Sequence, residues 1–128
     1  MATVVVAEDK VLMVKRISGE WGFVGGNYEP LDQSILGCAE RETGEEIRAK
    51  LKNFEFKIFQ KIYIKERDKT YVTAILTANP VAERIEDVQI TLNPREAGSW
   101  GWFSWDKLPK PLFPPNQQLI EQGFNPFH

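Results

Sequence analysis

The alternation of apolar and polar residues between positions 54 and 65 constrains the fold more than any other feature of this sequence. Apolar side chains stand at even positions, at Phe54, Phe56, Ile58, Ile62 and Ile64. A period of two is typical of a β-strand with one buried face. The charged run 66–69 interrupts the pattern, and residues 70–78 resume as a second strand. The sequence therefore predicts a long antiparallel hairpin, and a sheet that must pack against another layer.

The other predicted elements complete a layered domain. They are strands over Thr3–Val6, Val11–Arg16 and Trp100–Trp105, and a short helix over Pro115–Gln122. Residues 7–10 predict a turn between the first two strands, and Gly123 ends the last helix. Together with a helix near position 40, these elements predict an α+β fold, an α/β/α sandwich with a mixed, largely antiparallel sheet. The 128 residues are expected to form a single domain.

A helical pattern runs from about Ser34 to Arg48. Small and apolar residues recur at spacings of three and four, at Ile35, Leu36, Ala39, Thr43 and Ile47. Ser34 is the predicted N-cap. Glu42, Glu45 and Glu46 stand at i, i+3 and i+4, so the three carboxylates share one face, which we expect to lie opposite the apolar stripe.

Clustered carboxylates repel one another unless a cation lies among them. One interpretation is a site for Mg²⁺ or Mn²⁺, which prefer oxygen ligands and usually act together with substrate phosphates. The alternative is a solvated acidic face, paired loosely with Arg41 and Arg48. The helix alone leaves both interpretations open.

The segment before this helix extends the pattern. Gly25-Gly26 is followed by five residues, then Asp32, and later by Arg41-Glu42-Thr43-Gly44-Glu45-Glu46. This arrangement resembles the Nudix box: Gly, five residues, Glu, seven residues, then Arg-Glu-apolar-any-Glu-Glu-any-Gly-apolar. The resemblance implies a Nudix-type fold with a loop–helix–loop catalytic motif. It implies Glu42 and Glu46 as metal ligands, Glu45 as a further ligand or the base that activates water, and Arg41 as the residue that holds the glutamates by an ion pair.

The first loop departs from the family pattern. Eight residues, not seven, separate Asp32 from Arg41, and Gln33 takes the place of the family's first glutamate when counted back from the helix. Arg48 replaces the late glycine, and Thr43 occupies an apolar position. We therefore expect Asp32 not to be a metal ligand. The altered loop favours altered or lost activity.

Other stretches are similar to one branch of that family, the MutT-like nucleotide diphosphatases of animals and plants. These stretches are 38–43, 71–73, 98–102 and 108–127. The branch implies a homodimer that cleaves a nucleoside triphosphate, often a modified one, to the monophosphate and pyrophosphate. Some plant members instead hydrolyse geranyl diphosphate. A prenyl diphosphate or a nucleotide sugar is therefore an alternative substrate, and a catalytically idle nucleotide-binding module is a third hypothesis.

Substrate contacts are expected mainly from residues outside the helix. The candidates are Gly26, Lys15, Arg16, Trp21, Phe23, Thr73 and Phe113. Lys15 and Arg16 end the second strand, where they either contact phosphates or are ordinary strand-edge charges. The aromatic candidates align with pocket-lining regions of relatives, and their rings either stack on a base or pack on a prenyl chain. Alternative bases on a later loop are Glu83, Glu86 and Glu96.

Composition argues against several classes of partner. The formal net charge is −2 and no cluster of Lys and Arg stands out, so a nucleic acid polymer is not expected. No apolar run approaches the about 20 residues that cross a bilayer, and we expect no membrane segment or secretory signal. Cys38 is the single cysteine, expected to be buried and inert in a reducing, cytoplasmic compartment. No catalytic role is expected for His128.

Overall fold

The computed structural model describes residues 1–127, and over this range the chain forms seven strands and two α-helices. The strands are β1 (Ala2–Ala7), β2 (Lys10–Arg16), β3 (Trp21–Gly22), β4 (Val24–Gly25), β5 (Leu51–Ile64), β6 (Lys69–Pro80) and β7 (Ala97–Ser104). The helices are α1 (Ile35–Glu46) and α2 (Pro114–Glu121), and single 3-10 turns form at Pro30–Asp32, Lys65–Arg67 and Ile85–Asp87. His128 lies outside the described residues.

The strands form one mixed sheet in the order β3-β2-β1-β6-β5, with β4 paired to β1 and β7 paired to β2. The β1–β6 pair is parallel, whereas the other pairs between these strands are antiparallel. The long hairpin predicted from the period-two pattern is the β5–β6 pair, closed by the pairing of Ile64 with Lys69. The predicted mixed, largely antiparallel sheet is confirmed.

The two helices cover opposite faces of this sheet. Ala39 of α1 packs in one cluster with Ala74 and Leu76 of β6. Leu119 of α2 packs in another cluster with Ile75, the residue between them. Because successive side chains of a strand point to opposite faces, α1 and α2 lie on different sides of the sheet. The α/β/α arrangement predicted from the sequence is therefore confirmed.

Strand β5 departs from the alternation that the sequence predicted. Ile62 and Ile64 are buried as expected, but Phe56 and Ile58 are 45% and 41% exposed. The pairing with β6 shifts register between Lys52 and Glu55, and again between Phe56 and Ile58. Each shift inserts an extra residue and re-aims the side chains that follow it, and β5 is the edge strand of the main path, with one neighbour. The prediction of one buried apolar face was therefore wrong for the first half of the strand.

Helix α1 begins as predicted and buries Ala39, Thr43 and Ile47 of the predicted stripe, but its buried face also includes two glutamates. Ser34 is the N-cap, and its hydroxyl accepts a hydrogen bond of 2.9 Å from the Gly37 amide. Leu36 is 46% exposed, whereas Glu42 and Glu46 are only 7% and 6% exposed. The prediction that the acidic face lies opposite the buried stripe was wrong. The two glutamates are instead part of the buried face.

Candidate active site

Glu42 and Glu46 lie one helical turn apart on α1 and face the junction after β4. The Gly25 amide donates a hydrogen bond of 3.3 Å to Oε2 of Glu46. A Cβ atom added at Gly26 would overlap the Glu42 carboxylate. The main chain therefore approaches both acids closely, and Gly26 leaves the room that the Glu42 carboxylate occupies.

Glu96, on the loop that leads into β7, supplies the third carboxylate. One carboxylate oxygen from each of Glu42, Glu46 and Glu96 lies within 4.8 Å of the other two, the one such group found over residues 1–127. Glu45 is not part of this group. Its side chain is 53% exposed and accepts a hydrogen bond from Arg41. The structure thus places Glu96, which the sequence suggested only as an alternative base, beside Glu42 and Glu46, where Glu45 was expected as a further ligand or the base.

Burial and the charges of neighbouring acids make Glu42 and Glu46 hard to ionise. Burial raises the pKa of Glu46 to about 7, with the Glu96 and Glu42 charges adding to it and the Gly25 amide opposing it. Burial also raises the pKa of Glu42, although Arg41 works against the rise. A divalent cation among the carboxylates would reverse this effect by favouring their charged forms. The donor set, three carboxylates at close range, therefore fits a hard divalent ion.

We expect the metal-free protein to lose stability as the pH rises from 4.5, the ordinary pKa of Glu46, through about 7, its value in the folded protein. The folded state binds this proton more tightly than the unfolded state does, so the stabilisation is complete below the lower value and lost above the higher one. Thermal unfolding in chelator across this pH range measures the effect. The curve of Glu46→Gln should be flatter than that of the unaltered protein, and two parallel curves would contradict the assignment.

Arg41 ties the acidic helix to the loop before it. Its Nε and Nη2 atoms donate to the Asp32 carboxylate at 2.6 and 3.0 Å, and Nη1 donates to Glu42 at 2.9 Å and Glu45 at 3.2 Å. Nη2 also donates to the carbonyl of Asn27 at 3.0 Å. The hydrogen bonds from Arg41 lower the pKa of Asp32 to about 2. The Asp32 and Glu42 carboxylates in turn raise the pKa of Arg41. The guanidinium therefore fixes the position of Glu42.

Asp32 has a defined place in this arrangement. Its side chain is 2% exposed and meets Arg41 through both oxygens. The 3-10 turn Pro30–Asp32 and a left-handed backbone at Gln33, with φ of 61°, carry the chain from this turn to the helix. Asp32 is not among the clustered carboxylates, in line with the expectation that it is not a ligand. The longer first loop has not separated it from the helix, so the loop departure no longer argues for lost activity.

A cleft of about 450 Å³ opens over the carboxylates. Its acidic wall is formed by Glu42, Glu46 and Glu96, and its other charged lining residues are Arg16, Arg67, Arg95, Glu20 and Glu29. Gly25 and Gly26 also line it. The cleft thus combines positive side chains with clustered acids, a combination suited to an anion that binds together with a cation.

A second cavity of about 250 Å³ adjoins the first and shares Arg16, Gly25, Gly26 and Asn27 with it. It is lined by the rings of Phe23, Tyr71 and Phe113, by Thr73, and by two buried amides, Gln60 and Asn116. Gln60 donates to the Pro115 carbonyl at 3.2 Å, and Asn116 accepts from the Phe23 amide at 3.2 Å. Each amide is therefore oriented by the main chain while its residue lines the cavity.

Five of the seven predicted substrate-binding residues line these cavities. They are Gly26, Arg16, Phe23, Thr73 and Phe113. The guanidinium of Arg16 lies 3.8 Å from the centre of the Phe113 ring. Lys15 and Trp21 line neither cavity, and the structure gives no support to their predicted contacts. Lys15 is paired with Ser99 on β7 and points to the face opposite that of its neighbour Arg16. Trp21 packs edge-on against Phe103 beside the core.

Sequence reasoning missed Gln60, Asn116 and Arg67. Gln60 is the one polar residue at the even positions of the apolar run 54–64, and a buried amide in such a run is a usable signal. Asn116 and Arg67 lie in a first helical turn and a hairpin tip, where polar residues are ordinary. Cys38 is buried as predicted, with its sulfur 3.7 Å from the Asn27 carbonyl.

Residues 1–123 match the family model described as NUDIX domain. Among similar solved structures is a MutT NUDIX hydrolase from Burkholderia pseudomallei, 20% identical with a TM-score of 0.70, covering 96% of this chain and 95% of that one. An ADP-ribose pyrophosphatase from Streptococcus suis is 23% identical with a TM-score of 0.65, covering 98% and 90%. The NUDIX domain of Shewanella oneidensis NrtR, complexed with ADP ribose, is 23% identical with a TM-score of 0.71, covering 94% and 82%.

These comparisons bear on the family, not on a branch within it. The three structures come from bacteria, and none supports the assignment to the animal and plant branch. At these identities the structures show a shared fold alone. Within residues 1–127, no helix is both long enough and apolar enough to span a membrane.

Proposed function

This chain belongs to the NUDIX domain family of hydrolases, and we propose that it cleaves the diphosphate linkage of a nucleotide with a divalent cation bound between Glu42, Glu46 and Glu96. The observation that carries the proposal is the burial of Glu42 and Glu46 beside an open cleft, with Glu96 within reach of both. Carboxylates held this close need a compensating positive charge. Mg²⁺ would supply that charge, and it commonly binds proteins together with substrate phosphates such as those of a nucleotide.

Mg²⁺ or Mn²⁺ fits this donor set because both prefer oxygen ligands. When bound, such a cation offsets the negative charge that develops on the phosphate oxygens. Glu42 and Glu46 hold it, and Arg41 keeps Glu42 in position. Arg16 lines both cavities and is oriented by its contact with Phe113. It would therefore bind a phosphate of the substrate.

Glu96 is the acid best placed to take a proton from the attacking water. It is exposed, it lines the cleft, and its carboxylate lies within reach of Glu42 and Glu46. Glu45, the base favoured by the sequence, is engaged by Arg41 and lines neither cavity. A general base must lie within hydrogen-bonding reach of the water, and this requirement favours Glu96.

The second cavity supports a nucleoside as the organic group. Aromatic rings on its walls suit a planar base or a prenyl chain equally well. The buried amides Gln60 and Asn116 favour a base, because each uses one polar atom on the main chain and its other polar atom could bond to the edge of a base but not to a prenyl chain. We therefore place a nucleoside triphosphate first, cleaved to the monophosphate and pyrophosphate.

Turnover of a compound panel with Mg²⁺ tests this function. The panel contains nucleoside triphosphates with ordinary and oxidised bases, ADP-ribose, a nucleotide sugar and geranyl diphosphate. Release of pyrophosphate from a triphosphate is the expected result. Preferred turnover of geranyl diphosphate or of a sugar conjugate would reject the nucleoside triphosphate. Nucleotide binding without turnover of any compound would reject the hydrolase and support the idle binding module.

A homodimer is supported by an exposed apolar patch on the β5–β6 hairpin, formed by Phe59, Tyr63 and Val72. These side chains are 65%, 56% and 66% exposed, and cross-strand pairing puts them on one face. A second copy is the proposed occupant, with an interface of about 800 Å² from each partner. Val72→Glu is expected to give a monomer in sedimentation. Val81→Glu, at a separate exposed position, is the control. A protein that is already monomeric at high concentration would refute the dimer.

We also propose a single domain, a small-molecule substrate and a cytoplasmic location. The chain acts as a single Nudix domain on a small nucleotide and not on a nucleic acid polymer, in keeping with its net charge of −2. A cytoplasmic location is supported by Cys38, a single cysteine that is free and buried.

A further inference from the structure

Two residues of the cleft lining form an ion pair. Arg67, in the turn at the tip of the β5–β6 hairpin, places Nη2 2.5 Å from Oε2 of Glu20. Glu20 belongs to the loop between β2 and β3, so the contact joins segments 47 residues apart. Both residues line the same cleft as Glu42 and Glu46. The pair therefore lies where a bound substrate would pass.

The two partners differ in how firmly the rest of the protein holds them. Glu20 is 16% exposed, and its second oxygen accepts a hydrogen bond of 3.1 Å from the Ser18 hydroxyl. Arg67 is 36% exposed on a hairpin tip, and its guanidinium lies 5.5 Å from the Phe113 ring. Glu20 would keep Ser18 as a partner if Arg67 moved away.

Arg16 and Arg67 converge on one aromatic ring. Their guanidinium carbons lie 3.8 and 5.5 Å from the centre of Phe113. Phe113 also lines the second cavity, and Arg16 lines both cavities. The two arginines therefore stand together at the junction where a substrate would pass from its organic group to its phosphates.

We infer that Arg67 is a substrate-binding residue that contacts a phosphate oxygen, and that the Glu20 carboxylate occupies the donors of Arg67 until a phosphate takes its place. The inference rests on the proposed function, because it takes the cleft to hold a diphosphate. It assigns to the hairpin tip a contact that lies outside the acidic helix and its loop.

Exchanging Glu20 for a phosphate would leave Arg67 with the same kind of partner. Arg67 gives up one oxyanion, the Glu20 carboxylate, for another, a phosphate oxygen. An exposed ion pair contributes little free energy, so breaking it costs little. The planar guanidinium fork matches two phosphate oxygens at once, and its several donors allow it to bind phosphate while remaining near Glu20.

A purely structural role is the rival interpretation. On that view the ion pair only fastens the hairpin to the β2–β3 loop, and loss of either partner has the same effect. On the substrate-binding view the two losses differ, because Glu20→Gln frees Arg67 for phosphate whereas Arg67→Gln removes the contact altogether. This difference allows a decisive comparison.

Calorimetric binding of inorganic pyrophosphate in the presence of Mg²⁺ makes that comparison without requiring turnover. Arg67→Gln should weaken binding about tenfold or more, as expected for a lost charged hydrogen bond. Glu20→Gln should bind as tightly as the unaltered protein or more tightly. Arg67→Lys should recover part of the loss, and thermal unfolding of each variant checks that it is folded.

Equal weakening in Arg67→Gln and Glu20→Gln would overturn the inference in favour of the fastening role. Unchanged affinity in Arg67→Gln, or no binding of Mg²⁺–pyrophosphate to the unaltered protein, would overturn it as well. The proposed function fails separately. Arg67-dependent pyrophosphate binding in a protein that turns over no compound of the panel would reject hydrolysis and keep the phosphate contact.

Discussion

Replacing Glu46 by glutamine is expected to lower kcat by about two to three orders of magnitude, the size of effect seen when one group that stabilises a transition state is removed. The substitution keeps the shape of the side chain and removes its charge. Glu46 is 6% exposed and its carboxylate lies within 4.8 Å of those of Glu42 and Glu96. A cation at this site would lose one anionic ligand. Steady-state kinetics across a range of Mg²⁺ concentrations measure the loss.

Glu45→Gln is the matched control, because it makes the same chemical change one position earlier on the same helix. Its carboxylate is 53% exposed and accepts from Arg41, outside the cluster. We expect its kcat to stay within a few-fold of the unaltered protein. Equal losses in the two variants, or full activity in Glu46→Gln, would refute the assignment of the carboxylates.

The same pair of variants separates catalysis from folding. Without metal and above pH 7, Glu46→Gln should be at least as stable as the unaltered protein, because it removes a buried charge that repels its neighbours. Mg²⁺ should raise the Tm of the unaltered protein by binding the folded state, and should raise the Tm of Glu46→Gln much less. A large drop in the metal-free Tm of Glu46→Gln would point to a structural role for Glu46.

Replacing Arg41 by glutamine is expected to have the second largest effect, a loss of about tenfold to a hundredfold in activity with a lower Tm. Arg41 contacts Glu42 and not the cleft itself, so it acts by positioning a ligand. Its loss would also leave the Asp32 carboxylate, 2% exposed, without its cation. The apparent affinity for Mg²⁺ should fall together with kcat, which a role in folding alone would not cause.

Two companion variants sharpen this test. Arg48→Gln removes an exposed arginine just after α1 and should change little. In the double variant Arg41→Gln with Asp32→Asn, the unpaired acid is also gone, so stability should recover while activity stays low. Recovery of neither property would show that Arg41 matters through some contact other than those with Asp32 and Glu42.

The sequence predicted the acidic helix but not the burial of its acids. Spacing at i, i+3 and i+4 correctly placed Glu42 and Glu46 on a common face, since helical geometry alone decides this. Their burial depends on the approach of Gly25 and Gly26, which sequence spacing does not encode. Polar residues are normally assigned to the exposed side, so hydrophobic periodicity placed these two on the wrong side.

Local sequence patterns could not identify Glu96 as the third carboxylate of the cluster. Glu96 lies 50 residues after Glu46, on a loop whose position is set by the pairing of β7 with β2. Only tertiary structure decides which of several loop glutamates approaches the helix. It also shows that Glu45 accepts a hydrogen bond from Arg41 and lies outside the cluster.

The substrate-binding predictions show a similar division. Arg16 and Phe113 come from distant parts of the chain and meet as expected at the cavities. Lys15 was predicted as a charge at the end of the second strand and Trp21 as a residue that aligns with pocket-lining regions of relatives, and neither lines a cavity. For Lys15 the alternation of side chains along a strand, which turns it away from the face of Arg16, is the reason. On β5, register shifts that no local pattern reveals exposed part of the predicted apolar face.

The most direct test of the account is anomalous scattering from crystals grown with Mn²⁺ and a non-hydrolysable nucleotide. The account predicts an anomalous peak at about 2.2 Å from carboxylate oxygens of Glu42 and Glu46, close to the usual range for hard divalent ions, with Glu96 beside it and a phosphate oxygen in contact. A peak elsewhere on the protein, or bound nucleotide with no metal between it and these carboxylates, would contradict it.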